Sequence, residues 1–579
     1  MPPARRTLAA LCAAPLAAAA AAAAQNPAPT PATRPPAPPA ATSAAPNPFA
    51  PQPVAPNPFG QPTTAPYIRT TPPTDPVIRR LLDEETAHSE VAALAQTLAD
   101  SVGPRLTGSP ANLGASDWAL AQYRRWGVPA RREQYGTFNG WRRGPAHLDL
   151  LAPRVRTLEA TMLAWSPGTG GGRPEDADVV LLPDVRDSAA FAAWLAAGNA
   201  RGRAVLVSPP TLSCRPASQF QEFGTPAEQA AVRTRQDSVR TAWQPRLAAA
   251  AAVGTAGLGG AALQASLKAA GAVGVLTHTF SGYPGVDKVF GSPRQQLPTF
   301  DVGCEDYGLL VRLAEHGQGP RVRLTAESEF LGERPVFNTV AELRGREKPN
   351  EYVVLSAHFD SWDGGSGATD NGTGTVTMME AMRLLKQALP HPRRTILVGH
   401  WSGEEQGLNG SRAFSEDHPE VVRGLQALFN QDNGTGRVVT MNAGGLAGAG
   451  AFLRRYLGEI PGEVTQYIRF DDRGSPASGG SDNASFACYG APAFGLNSLS
   501  WDYFQTTWHT TRDTYDKLVL DDVRSNAMLA AMLAYQASED PATIPRDRID
   551  PLPNDPRTGQ PQTWPVCTKA LRRTTDYRR

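Results

Sequence analysis

The stretch HFDSWDGGSGATDNGTG, His358–Gly374, follows the apolar run YVVLSA and gathers one histidine, three aspartates and many small residues. An apolar run closed by titratable residues and then glycines reads as a buried strand that stops at a loop built to hold something. Beyond it, TVTMMEAMRLLKQAL has helical periodicity. Met378, Met382, Leu385 and Leu389 fall on one stripe, which predicts packing against a sheet. The pattern continues with RTILVGHWS as a strand, a helix near Leu408–His418, and ALFNQD as a further strand. Alternating strands and helices predict an α/β sheet whose ligands gather at the carboxyl ends of its strands.

Each of those strands ends in acids or a histidine. His358 and Asp360 close the first, Glu404 and Glu405 follow the second, and Asp432 follows the third. Asp370 lies in the glycine loop just before a helix, and His509 lies in TTWHTTRDTYDKL. One acid at a strand end is commonly a turn or cap residue. Two histidines and several carboxylates at one sheet edge are instead the donor set that zinc takes, and a cation would relieve the repulsion among the acids. Adjacent Glu404 and Glu405 point differently, so one can bind metal while the other takes a proton from water. Two metals about 3.5 to 4 Å apart need a shared carboxylate. Asp370, flanked by small residues, is the candidate.

Upstream, Asp75 can cap a helix that has Pro76 at its first position, and ANLGASDWALAQYRRWG predicts a second helix. Between about Leu150 and Glu327 come short strand-like pieces, ADVVLLP, GRAVLVSPP, AVGVLTH and LPTFDVG, separated by Ala-rich helical stretches. They predict a small β-rich or α/β module inserted into the catalytic part.

The 579 residues suggest two or more domains, and a formal charge of +1 gives no reason to expect nucleic acid as a partner. Residues 1–24 read as a signal peptide, with Arg5 and Arg6 before an Ala/Leu-rich run, and predict a secreted or periplasmic protein. Residues 25–74 are Pro/Ala-rich, with APNPF twice, and predict a disordered spacer. No other segment is apolar enough to span a membrane. Removal of the leader leaves Cys214, Cys304, Cys488 and Cys567, which permits disulfides without fixing their pairing; free buried thiols are the alternative.

Taken together, HFDSWDGGSGATDNGTG, SGEEQG, FNQDNG and WHTTRDT resemble the co-catalytic zinc exopeptidases of metallopeptidase family 28, in the carboxypeptidase Q branch. The resemblance runs from about Asp75 to Asp540. It implies a mixed central sheet flanked by helices, with a discontinuous catalytic domain over 75–149 and 328–545. It further implies a protease-associated domain over 150–327 and a C-terminal extension over 546–579. Two Zn2+ are implied, His358 and Asp432 binding one, Glu405 and His509 the other, with Asp370 bridging. Glu404 would be the general base for metal-activated hydroxide, and Asp360 would orient the His358 imidazole. Peptides are the implied substrate and a homodimer the implied assembly.

GGSDNASF, Gly479–Phe486, resembles a family segment that often reads SDH, with Asn483 in the histidine's place. Asp482 there is expected either to line the substrate cleft or to cap a helix. Asp363 is expected to serve the loop. His88, His147, His278, His391, His400 and His418 are expected to be structural. Ser402 and Ser411 lack a His/Asp set of their own, and GSGATDNGTG lacks the lysine of a phosphate loop. Two other functions fit the fold: a glutaminyl cyclase-like acyl transferase, expected to use one zinc, and a receptor-like binding module without a working site.

Overall fold

The computed structural model describes residues 73–252, 259–291, 296–555 and 558–578. The leader over 1–24 and all but the last two residues of the spacer over 25–74 lie outside the described residues. No described helix is long and apolar enough to cross a membrane.

The expected strands and helices form one mixed α/β sheet with helices against it. Lys348–His358 lies between Arg394–Trp401 and Leu425–Asn430, and Ala493–Gly495 flanks the last of these; all four run parallel. The register pairs Trp401 with His358 and Asn430 with Ser356, so these strands stop at the same edge. That register explains why acids distant in sequence converge.

The helix Thr373–Ala388 begins directly after the glycine loop and is buried on nearly every face, with Met378, Met382 and Leu385 fully enclosed. It shares a core cluster with Pro76–His88 and Leu520–Glu539. Pro76–His88 starts as its sequence predicts: the Asp75 carboxylate accepts from the Val77 and Ile78 amides, at 2.7 and 3.0 Å. Gly374 lets the helix start approach the neighbouring strand end, because a Cβ there would lie 2.5 Å from the Gln431 carbonyl oxygen.

The expected insertion boundaries fall within two long strands, Ala130–Ala152 and Arg321–Leu343. They pair antiparallel from Ala130 opposite Ala341 to Ala152 opposite Arg321, with several bulges. One flank of the Arg321–Leu343 strand pairs with Arg394–Trp401 and, farther along, with Glu175–Leu181. The strands Arg203–Leu206, Gly274–Thr277 and Thr299–Val302 follow in parallel. Residues 150–327 therefore continue the same 12-stranded sheet instead of forming a separate one.

The four cysteines after the leader form two disulfides, Cys214–Cys304 and Cys488–Cys567, a pairing that the sequence leaves open. The second ties residues 565–573 to the body. There Arg572 pairs with Glu416 and Asp417 at 2.9 and 2.8 Å, and its carbonyl accepts from the Thr137 amide at 2.8 Å.

Between the helices Pro76–His88 and Thr373–Ala388, Glu85 is wholly buried beside Glu380. Burial first, and then the neighbouring carboxyl, push Glu85 up to about 8 from an ordinary 4.5. The folded chain thus keeps a proton that the unfolded chain releases. This contribution to stability is complete below the unfolded value and is lost as pH rises through the folded one. Glu85→Gln is expected to flatten the fall of Tm across that window. Thermal melts with the wild-type slope would refute the assignment.

Candidate metal centre

Asp370 faces both histidines. Its Oδ1 lies 3.3 Å from His358 Nε2, and its Oδ2 lies 3.1 Å from His509 Nε2. On one side His358 Nε2 also lies 3.0 Å from Asp432 Oδ1, and on the other His509 Nε2 lies 2.9 Å from Glu405 Oε2. Glu404 Oε2 is 4.0 Å from His358 Nε2. All these side chains are buried or nearly so. Two atoms each 2.0 to 2.2 Å from a tetrahedral ion stand roughly 3.3 Å apart, so the spacing suits a metal between them.

Electrostatics point the same way. Asp360, Asp370, Glu404, Glu405, Asp432, Asp482 and Asp513 crowd a region whose nearby cations include His358, His509, Arg105 and Lys288. Burial raises Glu404 well above the usual carboxylate range, with further push from Asp432 and Glu405 against the pull of His358. Burial and then Asp370 push Glu405 up to about 7. Although burial opposes it, His509 rises to about 9 beside Glu405 and Asp370. His358 also rises against burial, in the field of Asp432 and Glu404. Asp370 is held below its ordinary value by the two histidines, against burial. Asp370 Oδ2 and Glu405 Oε1 are buried with no hydrogen-bond partner. A bound cation satisfies such atoms and removes the need for these acids to share protons. The residues present therefore fit a metal.

His358 Nδ1 donates to the Asp360 backbone carbonyl at 2.9 Å, which leaves Nε2 as the free donor atom. The Asp360 carboxylate itself stands 3.7 Å from that ring nitrogen. It instead accepts from the Glu404 and Glu405 amides, at 3.1 and 3.3 Å, and from the Thr107 hydroxyl at 3.0 Å. Asp360 thus fixes the turn that aims the two glutamates.

Three residues that sequence reasoning passed over complete the frame. Asp513 accepts from the Thr369 amide at 2.6 Å and the Asp370 amide at 3.0 Å, holding the glycine loop. Arg105, fully buried, donates to the carbonyls of Phe359, Gly103, Ser366 and Gly367 at 2.8 to 3.0 Å. Lys288 reaches the His509 loop. Asp513 could have been found by its place in the His509 motif. Arg105 and Lys288 carried no such signal.

Asp482 is wholly buried, and neither carboxylate oxygen has a hydrogen-bond partner. The short helix Ala484–Ala487 has no side-chain cap, so the capping alternative fails. Burial pushes Asp482 up to about 7, with Asp432 and Asp360 adding to it and His358 opposing. Asp363 serves the loop as expected, accepting from Arg143 Nε at 2.9 Å. His400 is a core residue, its Nε2 2.7 Å from the Tyr123 hydroxyl, and burial lowers it to about 3.

His358, Asp370, Glu404, Glu405, Asp432 and His509 all lie within 338–534, and that stretch matches the model of peptidase family M28. The chain is similar to carboxypeptidase Q of Mus musculus, at 26% identity over 78% of this chain and 86% of the relative. Over 34% of this chain and 55% of the relative it is 31% identical to leucine aminopeptidase 1 of Coccidioides posadasii. The crystal structure of a peptidase M28 precursor from Shewanella amazonensis matches 83% of this chain and 98% of its own, with a TM-score of 0.58 and 23% identity. That likeness supports the fold. With the family comes the enzyme class, an M28-type exopeptidase, carboxypeptidase Q-like or aminopeptidase-like.

Proposed function

We propose that this M28 chain is a secreted di-zinc exopeptidase that hydrolyses a terminal peptide bond of dipeptides or short peptides. The observation that carries the reading is one carboxylate, Asp370, shared between two histidines that each have a further acid. His358 and Asp432 would hold one zinc, Glu405 and His509 the other, with Asp370 common to both. Bound zinc would supply Lewis acidity that polarises the scissile carbonyl and acidifies water.

The chain's own residues handle the proton. Glu404, whose amide is pinned by Asp360, takes a proton from the attacking water. As the C–N bond breaks, it returns that proton to the leaving amine. Trp362, Phe290 and Trp508 surround the His509 imidazole with ring centroids 5.8, 4.8 and 4.0 Å away, and exclude water from that side. Asp482, wholly buried, acts on Glu404 through its charge instead of touching substrate. A signal peptide over residues 1–24, as the sequence suggests, would agree with the two disulfides in placing the protein in an oxidising compartment. The protease-associated reading of 150–327 and a homodimer go with the same resemblance.

The test is zinc reconstitution of the full chain, followed by assay on dipeptides blocked at either end. Cleavage with two zinc ions per chain is expected. Loss of cleavage only when the amino end is blocked identifies an aminopeptidase, and loss only when the carboxyl end is blocked identifies a carboxypeptidase. A single zinc with cyclisation of amino-terminal glutamine, or no zinc at all, refutes the reading.

A further inference from the structure

His509 enters the metal centre from a backbone in the left-handed region, with φ 52°, a conformation that L residues keep only when their surroundings hold it. The hold comes from a remote stretch, residues 285–290, within the region expected to be inserted. The Val289 amide donates to the His509 carbonyl at 3.0 Å, and the Thr511 amide donates to the Asp287 carbonyl at 3.1 Å. Between them Lys288 and Thr510 form an antiparallel bridge. The Lys288 side chain then passes under the loop. Its Nζ donates to the Phe504 carbonyl at 3.0 Å and the Trp508 carbonyl at 2.5 Å. It also lies 4.8 Å from the centroid of the Trp508 ring, which stacks on the His509 imidazole. No described carboxylate forms an ion pair with Lys288, although the residue is only 5% exposed.

A buried ammonium directed at backbone carbonyls on the approach to a ligand has a specific consequence. Removing it leaves those carbonyls unsatisfied and takes a cation away from the ring packed on the imidazole. We infer that Lys288 is a positioning residue for His509, so that the region over 150–327 helps set the geometry of one of the two metal positions. The inference rests on the di-zinc reading above.

The test compares the zinc-loaded full chain with Lys288→Met and Lys288→Arg, following zinc release to a chelator and turnover of a dipeptide. Lys288→Met is expected to release one zinc equivalent at least tenfold faster than wild type, with the second at the wild-type rate. Its kcat should fall more than its KM changes. Lys288→Arg, which keeps charge and donors, should recover most of the lost retention. If Lys288→Met does not fold, Lys288→Gln is measured in its place and must show the same split in rates. Wild-type release of both equivalents from a folded variant, or equal acceleration of both, overturns the inference. A wild-type chain that binds no zinc overturns the di-zinc reading and this inference with it.

Discussion

Glu404→Gln is expected to lower kcat by about 10²- to 10⁴-fold, the range that a positioned general base supplies, while the zinc content of the wild-type chain is retained. The substitution keeps the size of the side chain and the amide that donates to Asp360. It removes the ability to take a proton. Glu404 Oε2 is the most distant of the carboxylate oxygens measured from His358 Nε2, at 4.0 Å against 3.0 and 3.3 Å for Asp432 and Asp370. The triad His358, Glu404 and Asp432 is nevertheless compact enough to hold an ion, so zinc content must be measured beside turnover. Unchanged kcat would remove Glu404 from the mechanism. A lost zinc would make it a ligand.

Asp370→Asn costs more. The amide keeps the shape of the carboxylate, and the backbone amides of Thr369 and Asp370 remain held by Asp513. The loop should therefore survive, and Tm should change by only a few degrees, roughly the effect of 1 kcal/mol. What disappears is an anion with one oxygen toward each histidine. Zinc affinity should fall by more than the roughly 10- to 100-fold that loss of an outer-shell partner costs, and turnover with it. Retention of two equivalents after dialysis against chelator would exclude Asp370 as the bridge.

The strands that carry His358, Glu404, Glu405 and Asp432 were legible because each is a short apolar run closed by polar residues. Their convergence follows from parallel pairing in a single register. The strand Ala130–Ala152 was not legible. Its sequence ARREQYGTFNGWRRGPAHLDLLA mixes arginines and glycines, and the bulges near Gly136, Gly140 and Gly144 break the alternation that marks a strand. The resemblance implies that Asp360 orients the His358 ring, and it does so through its backbone carbonyl, which no side-chain pattern reveals. Arg105 was hidden in a turn-rich phrase, GPRLTGSP, since its acceptors are main-chain carbonyls that leave no mark on side-chain pattern. Disulfide pairing was likewise a matter of which distant segments meet, at separations of 90 and 79 residues.

The bridge between residues 285–290 and the His509 loop also bears on the order in which the chain matures. His358 and Asp432 are 74 residues apart, whereas Lys288 and Trp508 are separated by 220. Contacts that close long loops are slow to form. During synthesis the His358 half of the centre can come together first, and Lys288 waits, its ammonium in water, until the His509 motif has been made. A chain stopped before that motif would carry half a centre and an unanchored 285–290 segment, so completeness of the polypeptide is itself a condition for an assembled site.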